Sequence, residues 1–124
     1  MTDHARTITL LEFGVERLKK GWTQEEMAMN KAGKPVSPTE PEAVCWCALG
    51  CIQEPGNQLV RLDAQLALSD TFQAEGYSAP NTMEPFHFIA WVNDLEAMYS
   101  WRMIELFRKT IDRLRAETPV PSGA

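Results

Sequence analysis

Three cysteines, Cys45, Cys47 and Cys51, fall within seven residues and form the densest group of reactive side chains in the chain. A Cys-x-Cys-x-x-x-Cys run raises two chemistries, metal ligation and nucleophilic attack. Ligation needs thiolates that converge on one ion. On a helix Cys47 and Cys51 share a face, but Cys45 stands about 160° from Cys47 at ~100° per residue. A fourth ligand would have to be His4, His87 or an acid, and none has the paired spacing of a zinc site. The run therefore reads as small buried thiols in a tight helix interface, with no metal and no cofactor expected. The nucleophile reading places Cys45 and Cys47 in the first two turns of a helix, where the helix terminus lowers a thiol pKa. His87 would serve as base and Asp94 as its orienter. Nothing in the sequence places Cys47, His87 and Asp94 together, so no catalytic residue is assigned.

The other candidates are aromatic and polar. Trp22, Trp46, Trp91 and Trp101 each bury on the order of 200 Å² in a packed domain, and their indole N–H groups need partners. An exposed Trp beside acidic residues would mark a protein–protein hot spot. Asn93-Asp94 reads as a turn or side-chain cap before the last helix, or as a polar pair at the mouth of a small pocket. The partner- or ligand-binding candidates are thus Trp22, Trp46, Cys47, His87, Trp91, Asn93 and Asp94. A Gly-rich phosphate loop, a His-Glu-x-x-His pair and a nucleophile elbow are all absent from the sequence.

These residues need elements to position them. The chain has 124 residues, 44% of them hydrophobic and 23% charged, which fits one ordinary domain over 1–118 followed by a flexible tail at 119–124. Ile8, Leu11, Val15 and Leu18, widened by Leu10, predict a helix over 7–20, with Gly21 in a left-handed cap. Residues 22–36 read as a small β-hairpin turning at Asn30–Gly33, with Trp22 and Val36 facing inward; the alternative is a helical turn at 24–29 followed by a loop. Thr39 as N-cap and Pro41 in the first turn predict a buried central helix over 41–53. A third helix spans 58–75, with Leu59, Leu62, Leu66 and Phe72 on its buried face and Leu68 beside them. The apolar run in 85–93 is a short strand or one or two helical turns. Ile104, Phe107, Ile111 and Leu114 predict a last helix over 100–117, with a Glu105–Lys109 pair. The expected class is mainly α, a single-domain bundle of about four helices.

Charge narrows the partners. The net charge is −5. Residues 21–98 hold eleven acids against three basic residues, Lys31, Lys34 and Arg61, so the middle of the chain carries −8. An acidic middle repels phosphate and argues against direct nucleic-acid binding. It suits a protein partner with a basic surface. No apolar run approaches the ~18–20 residues that span a bilayer. The first twenty residues lack a signal-peptide layout, and with three thiols this points to the cytoplasm.

Four stretches together resemble a known family. They are Gly21-Trp22-Thr23-Gln24, Gly33-Lys34-Pro35-Val36-Ser37, Ala43-Val44-Cys45-Trp46-Cys47-Ala48-Leu49-Gly50, and Asn93-Asp94 before the last helix. The family consists of small bacterial and phage proteins grouped as a domain of unknown function, and the likeness runs from about residue 8 to 116. Its members usually carry Trp-Asn-Asp; here Val92 stands before Asn93, with Trp91 one place earlier. Members often have Ala where Cys51 stands. The resemblance implies a cytoplasmic, mostly helical domain and no particular activity. The expected function is a small acidic protein–protein interaction module, a phage or mobile-element accessory or an inhibitor of a host system. The alternative is a small-ligand binder or enzyme using Cys47, His87 and Asp94. A homodimer is the assembly that a surplus apolar helix face would favour.

Overall fold

The computed structural model describes residues 4–54, 57–79 and 81–117. Helix α1 (Ala5–Lys20) buries Leu10, Leu11, Val15 and Leu18 of the stripe that its spacing predicts, with Ile8 half-buried at its start. Helix α4 (Ser100–Glu117) likewise buries Ile104, Phe107, Ile111 and Leu114, and the two helices pack on one another. Helix α2 (Gln58–Ala74) packs against both, and the short α3 (Pro85–Asn93) lies against α2. Two residue pairs form a small antiparallel sheet, β1 (Ala28–Met29) with β2 (Cys45–Trp46), in the register Ala28 with Trp46 and Met29 with Cys45. A 3₁₀ turn follows at Gly50–Ile52. The protein is mainly α, a small four-helix bundle with this ribbon at one side. Among the described residues no helix is long and apolar enough to cross a membrane. The tail expected at 119–124 lies outside the described residues.

The count of four helices agrees with the sequence reading, but their identities differ. Residues 41–53 do not form the central helix. Their backbone groups are taken by the segment after α1: the Trp46 amide donates to the Gly21 carbonyl (2.9 Å), its carbonyl accepts from Thr23 (3.1 Å), and the Cys47 amide donates to Met27 (3.1 Å). Pro41 and Thr39 sit in turns at 37–43 instead of a helix start. The fourth helix is α3, with Pro85 in its first turn, as one of the alternatives for 85–93 has it. The hairpin expected at 22–36 exists in part. Asn30 Oδ1 accepts from Ala32 and Lys34 and closes its turn, and Val36 returns a bond to Ala28. Its paired strand, however, is 45–46, and Trp22 bridges in parallel to Trp46.

Two glycines allow these segments to touch. Gly21 has extended backbone (φ 179), not the left-handed cap expected of it. A Cβ there would meet the Val44 carbonyl oxygen at 2.4 Å. A Cβ on Gly50 would lie 1.8 Å from the Met27 carbonyl oxygen. Both contacts are with backbone, which cannot swing away.

Helix α2 has nearly the predicted span, and its buried side keeps Phe72 and Leu68 of the expected face but not its three other leucines. Its N-cap is Asn57, whose Oδ1 accepts from the Leu59 and Val60 amides. Leu68 and Phe72 are buried, together with the small or polar Ala64, Gln65, Ser69 and Thr71. Leu59, Leu62 and Leu66, expected inside, are 72%, 50% and 53% exposed. This mixed side, small residues beside Leu68 and Phe72, is the one that packs on α1 and α4. The α2–α4 junction is locked by Arg102, which bonds the Tyr77 hydroxyl (3.1 Å), Glu75 and Glu105; these partners raise its pKa. Lys109 pairs with Glu75, not with Glu105.

Gly50→Ala is expected to destabilise the protein by about 3 kcal/mol, since overpacking against backbone cannot relax by a rotamer change. Urea denaturation with an unchanged m-value would show it.

Candidate functional site

The polar centre of the molecule is the side chain of Asn93, the last residue of α3, which is completely buried. Its Oδ1 accepts from the indole Nε1 of Trp22 (2.9 Å) and from the amide of Ala48 (3.0 Å). Its Nδ2 donates to the Thr23 carbonyl (3.1 Å) and to Asp94 Oδ1 (3.0 Å). Both lone-pair sites and both N–H donors of the amide are thereby used. Gln24 completes the clasp: its Nε2 donates to the carbonyls of Asn93 (3.0 Å) and Leu95 (2.9 Å), at the C-terminal end of α3 where carbonyls lack helical partners. Asp94 Oδ1 also accepts from the Glu25 amide (2.8 Å), which holds Glu25 at φ 71, in the left-handed region.

A second junction lies at Trp46. Its indole donates to the Pro38 carbonyl (2.9 Å). The Arg17 guanidinium lies over the Trp46 ring (5.3 Å) and the Phe13 ring (4.4 Å). The same group donates to the carbonyls of Gly50, Cys51 and Gln53, the last at 2.9 Å, and so caps the 3₁₀ turn. Partial burial lowers its pKa, and the charge of Glu54 works against that shift.

The cysteines are structural in their contacts. The Cys47 thiol is buried, and its Sγ accepts from the Gly50 amide (3.3 Å). The Cys51 thiol donates to the Ala48 carbonyl (3.3 Å). Burial pushes the Cys47 thiol up, with the Asp94 charge adding to the shift, and pushes Cys51 well up. The helix terminus invoked to activate Cys45 and Cys47 is not there, because Cys45 lies in β2 and Cys47 directly follows it.

The remaining candidates are dispersed. His87 is exposed on α3 and meets the Phe86 ring edge-on. It precedes Asp94 by seven residues, about 10 Å of helical rise, so the two are beyond hydrogen-bond reach. Trp91 is half-buried and stacks on Phe88. Of the seven candidates the structure thus unites Trp22, Asn93 and Asp94. Trp46 and Cys47 lie on the adjoining ribbon and turn, and His87 and Trp91 lie along α3. Among the described residues no buried side-chain nitrogen or oxygen lacks a partner. The buried amide of the clasp is therefore saturated from within, and the group it leaves facing solvent is the exposed carboxylate of Asp94.

What sequence reasoning missed lies outside. Leu59, Leu62 and Leu66 line the outer face of α2, and Phe86 is 43% exposed beside the α2–α3 groove. The exposed tryptophan is Trp101, at 66%, beside the exposed Tyr99. The leucine spacing was visible in the sequence but reads equally as a core stripe. The signal that turns it outward is the second stripe of Ala64, Leu68, Thr71 and Phe72, whose smaller members pack closer.

The fold and clasp define a small mainly α protein whose motif residues build structure and whose apolar surplus faces outward. No family model, no curated protein and no solved structure matches the chain.

Replacing Asn93 tests the clasp. Asn93→Ala strands the Trp22 indole, the Ala48 amide and the Thr23 carbonyl, and should destabilise by more than about 3 kcal/mol. The isosteric Asn93→Asp should be at least as damaging, because it sets acceptors against the Thr23 carbonyl and the Asp94 carboxylate. Chemical denaturation of both variants would check this. For the thiols, iodoacetamide at pH 8 should label Cys45 in the native protein, and Cys47 and Cys51 only after unfolding, as read by peptide mass spectrometry. Above the ordinary cysteine value of 9.0 the unfolded chain releases protons that folded Cys47 and Cys51 retain, so stability should fall as pH rises past that point.

Proposed function

We propose that the chain is an acidic, non-enzymatic protein–protein interaction module of the cytoplasm, acting as an accessory factor or inhibitor in a phage or mobile-element setting, and that it binds a basic partner surface through α2. The observation that carries this reading is the facing of α2, which sends Leu59, Leu62 and Leu66 to solvent while Leu68 and Phe72, with Ala64, Gln65, Ser69 and Thr71, face the core. A contiguous exposed apolar stripe flanked by charge is the usual mark of a binding surface. Charge supports the same reading. Asp63 and Asp70 lie on the same exposed side of α2, and among the described residues neither forms a salt bridge. Of the exposed acids of α1 and α4, Glu12, Glu16 and Glu105 are paired with Arg or Lys, and Asp112 is not in a salt bridge among the described residues. The family resemblance supplies the bacterial and phage setting.

The double variant Leu62→Glu/Leu66→Glu separates binding from folding. Both side chains are half exposed or more, so stability should change by no more than about 1 kcal/mol. Affinity capture from host lysate at moderate salt should recover partners with the parent chain and lose them with the variant. Identical captures from the two proteins would refute the reading.

A further inference from the structure

We infer that the partner presents an amphipathic helix with basic flanks, and that this helix lies along α2 with its apolar side seated in the groove between α2 and the start of α3. The inference rests on the interaction reading above and specifies its partner. The groove holds about 450 Å³ and is walled by Leu62, Leu66, Pro85 and Phe86, with Gln58 and Gln65 among its lining. Leu59, Leu62 and Leu66 extend it into a ridge of two helical turns, about 10 Å long.

The shape of this surface selects a helix. Between α2 and α3 the exposed backbone is helical, its N–H and C=O groups bonded within each helix, so no open strand edge is offered to an extended peptide. What remains is side-chain packing of a ridge beside a groove, the geometry into which the i, i+3, i+4 and i+7 residues of a second helix fit.

The charge selects a basic one. Asp63 and Asp70 edge the ridge, and Glu84 stands at the mouth of the groove where α3 begins. None of the three has a salt bridge among the described residues. Arg61 is the one cation among the residues lining the groove; its Nη1 donates to Gln53 Oε1 (3.3 Å) and the Glu54 carbonyl (3.2 Å), which turns it toward residues 53–54 while its charge remains. A helix carrying Lys or Arg beside its apolar stripe would meet Glu84 at the groove and, across the ridge, Asp63 and Asp70, which share their cleft with Arg113 but form no salt bridge with it. A second copy of this chain would bring Asp63 and Asp70 against their own equivalents, with like charges opposed.

A displayed library of 18-residue helical peptides tests the inference directly. Leu is held at i, i+3, i+4 and i+7 over two repeats, and flanking positions vary among Lys, Glu and Gln. Selection on the full chain should enrich Lys over Glu at the flanks at least tenfold. The best peptide should lose at least tenfold in affinity to Leu62→Glu/Leu66→Glu, to the milder Leu62→Ala/Leu66→Ala, and to Asp63→Lys/Asp70→Lys, each shown folded by circular dichroism. Its affinity should also fall as salt rises. Enrichment of Glu or Gln flanks, still dependent on Leu62 and Leu66, would overturn the basic-helix inference and leave the interaction reading standing. Failure to select any peptide dependent on those leucines would overturn it too, and lysate capture would then decide the broader reading separately. A dimer by sedimentation that dissociates in Leu62→Glu/Leu66→Glu would make a second copy the occupant and refute the inference.

Discussion

A buried primary amide must find two donors and two acceptors at fixed angles, and at Asn93 that requirement organises one side of the molecule. The four bonds of the Asn93 side chain reach three separate stretches: Trp22 and Thr23 after α1, Ala48 after β2, and Asp94 at the end of α3. Because an unmade bond at a dry site is expensive, each stretch is held where the amide can reach it. The irregular path of residues 21–53 follows from this. Its short ribbon, close glycine contacts and 3₁₀ turn bring the Ala48 amide and the Trp22 indole to one oxygen. Arg17 does the equivalent from α1, tying three carbonyls of the turn to the Trp46 ring.

The bundle obeys a different rule. Helices α1 and α4 meet through large apolar side chains, and α2 must then fit against both. A helix with leucines on one side and Ala64, Ser69 and Thr71 on the other can approach more closely through the small side, with Leu68 and Phe72 filling the space between. The leucines left outside are a surplus that packing within this chain does not use. An interior saturated with hydrogen bonds beside an exterior with uncovered leucines supports the proposed role in recognition.

Much of the bundle was legible in the sequence because α1 and α4 each carry a single apolar stripe, so periodicity alone fixes both the helix and its buried side. At α2 the same method yields the span and the burial of Phe72 and Leu68 but misplaces Leu59, Leu62 and Leu66, since the set Ala64, Leu68 and Phe72 also recurs with helical period. The choice depends on partners that are remote in sequence. Residues 41–53 failed for a related reason. Proline and acids ahead of an apolar run look like a buried helix, yet the backbone groups there bond to Gly21, Thr23 and Met27. The sequence marks Trp22, Asn93 and Asp94 as binding candidates, the indole as a donor in want of a partner and Asn93-Asp94 as a turn, a cap or a polar pair at a pocket. That they are one another's partners is information no local pattern holds.

The clasp also bears on how the chain is made. Trp22 and Gln24 precede their partners Asn93 and Leu95 by 69 to 71 residues, and Ala48 precedes Asn93 by 45. During synthesis the N-terminal half therefore emerges with an indole and a main-chain amide that lack their acceptor. The Trp22 indole and the Ala48 amide stay without Asn93 until α3 leaves the ribosome, and α1 still awaits α4. Folding is thus an event of the nearly finished chain, and for most of translation the leucines of α2 travel beside an uncovered core, in the care of whatever binds nascent polypeptides.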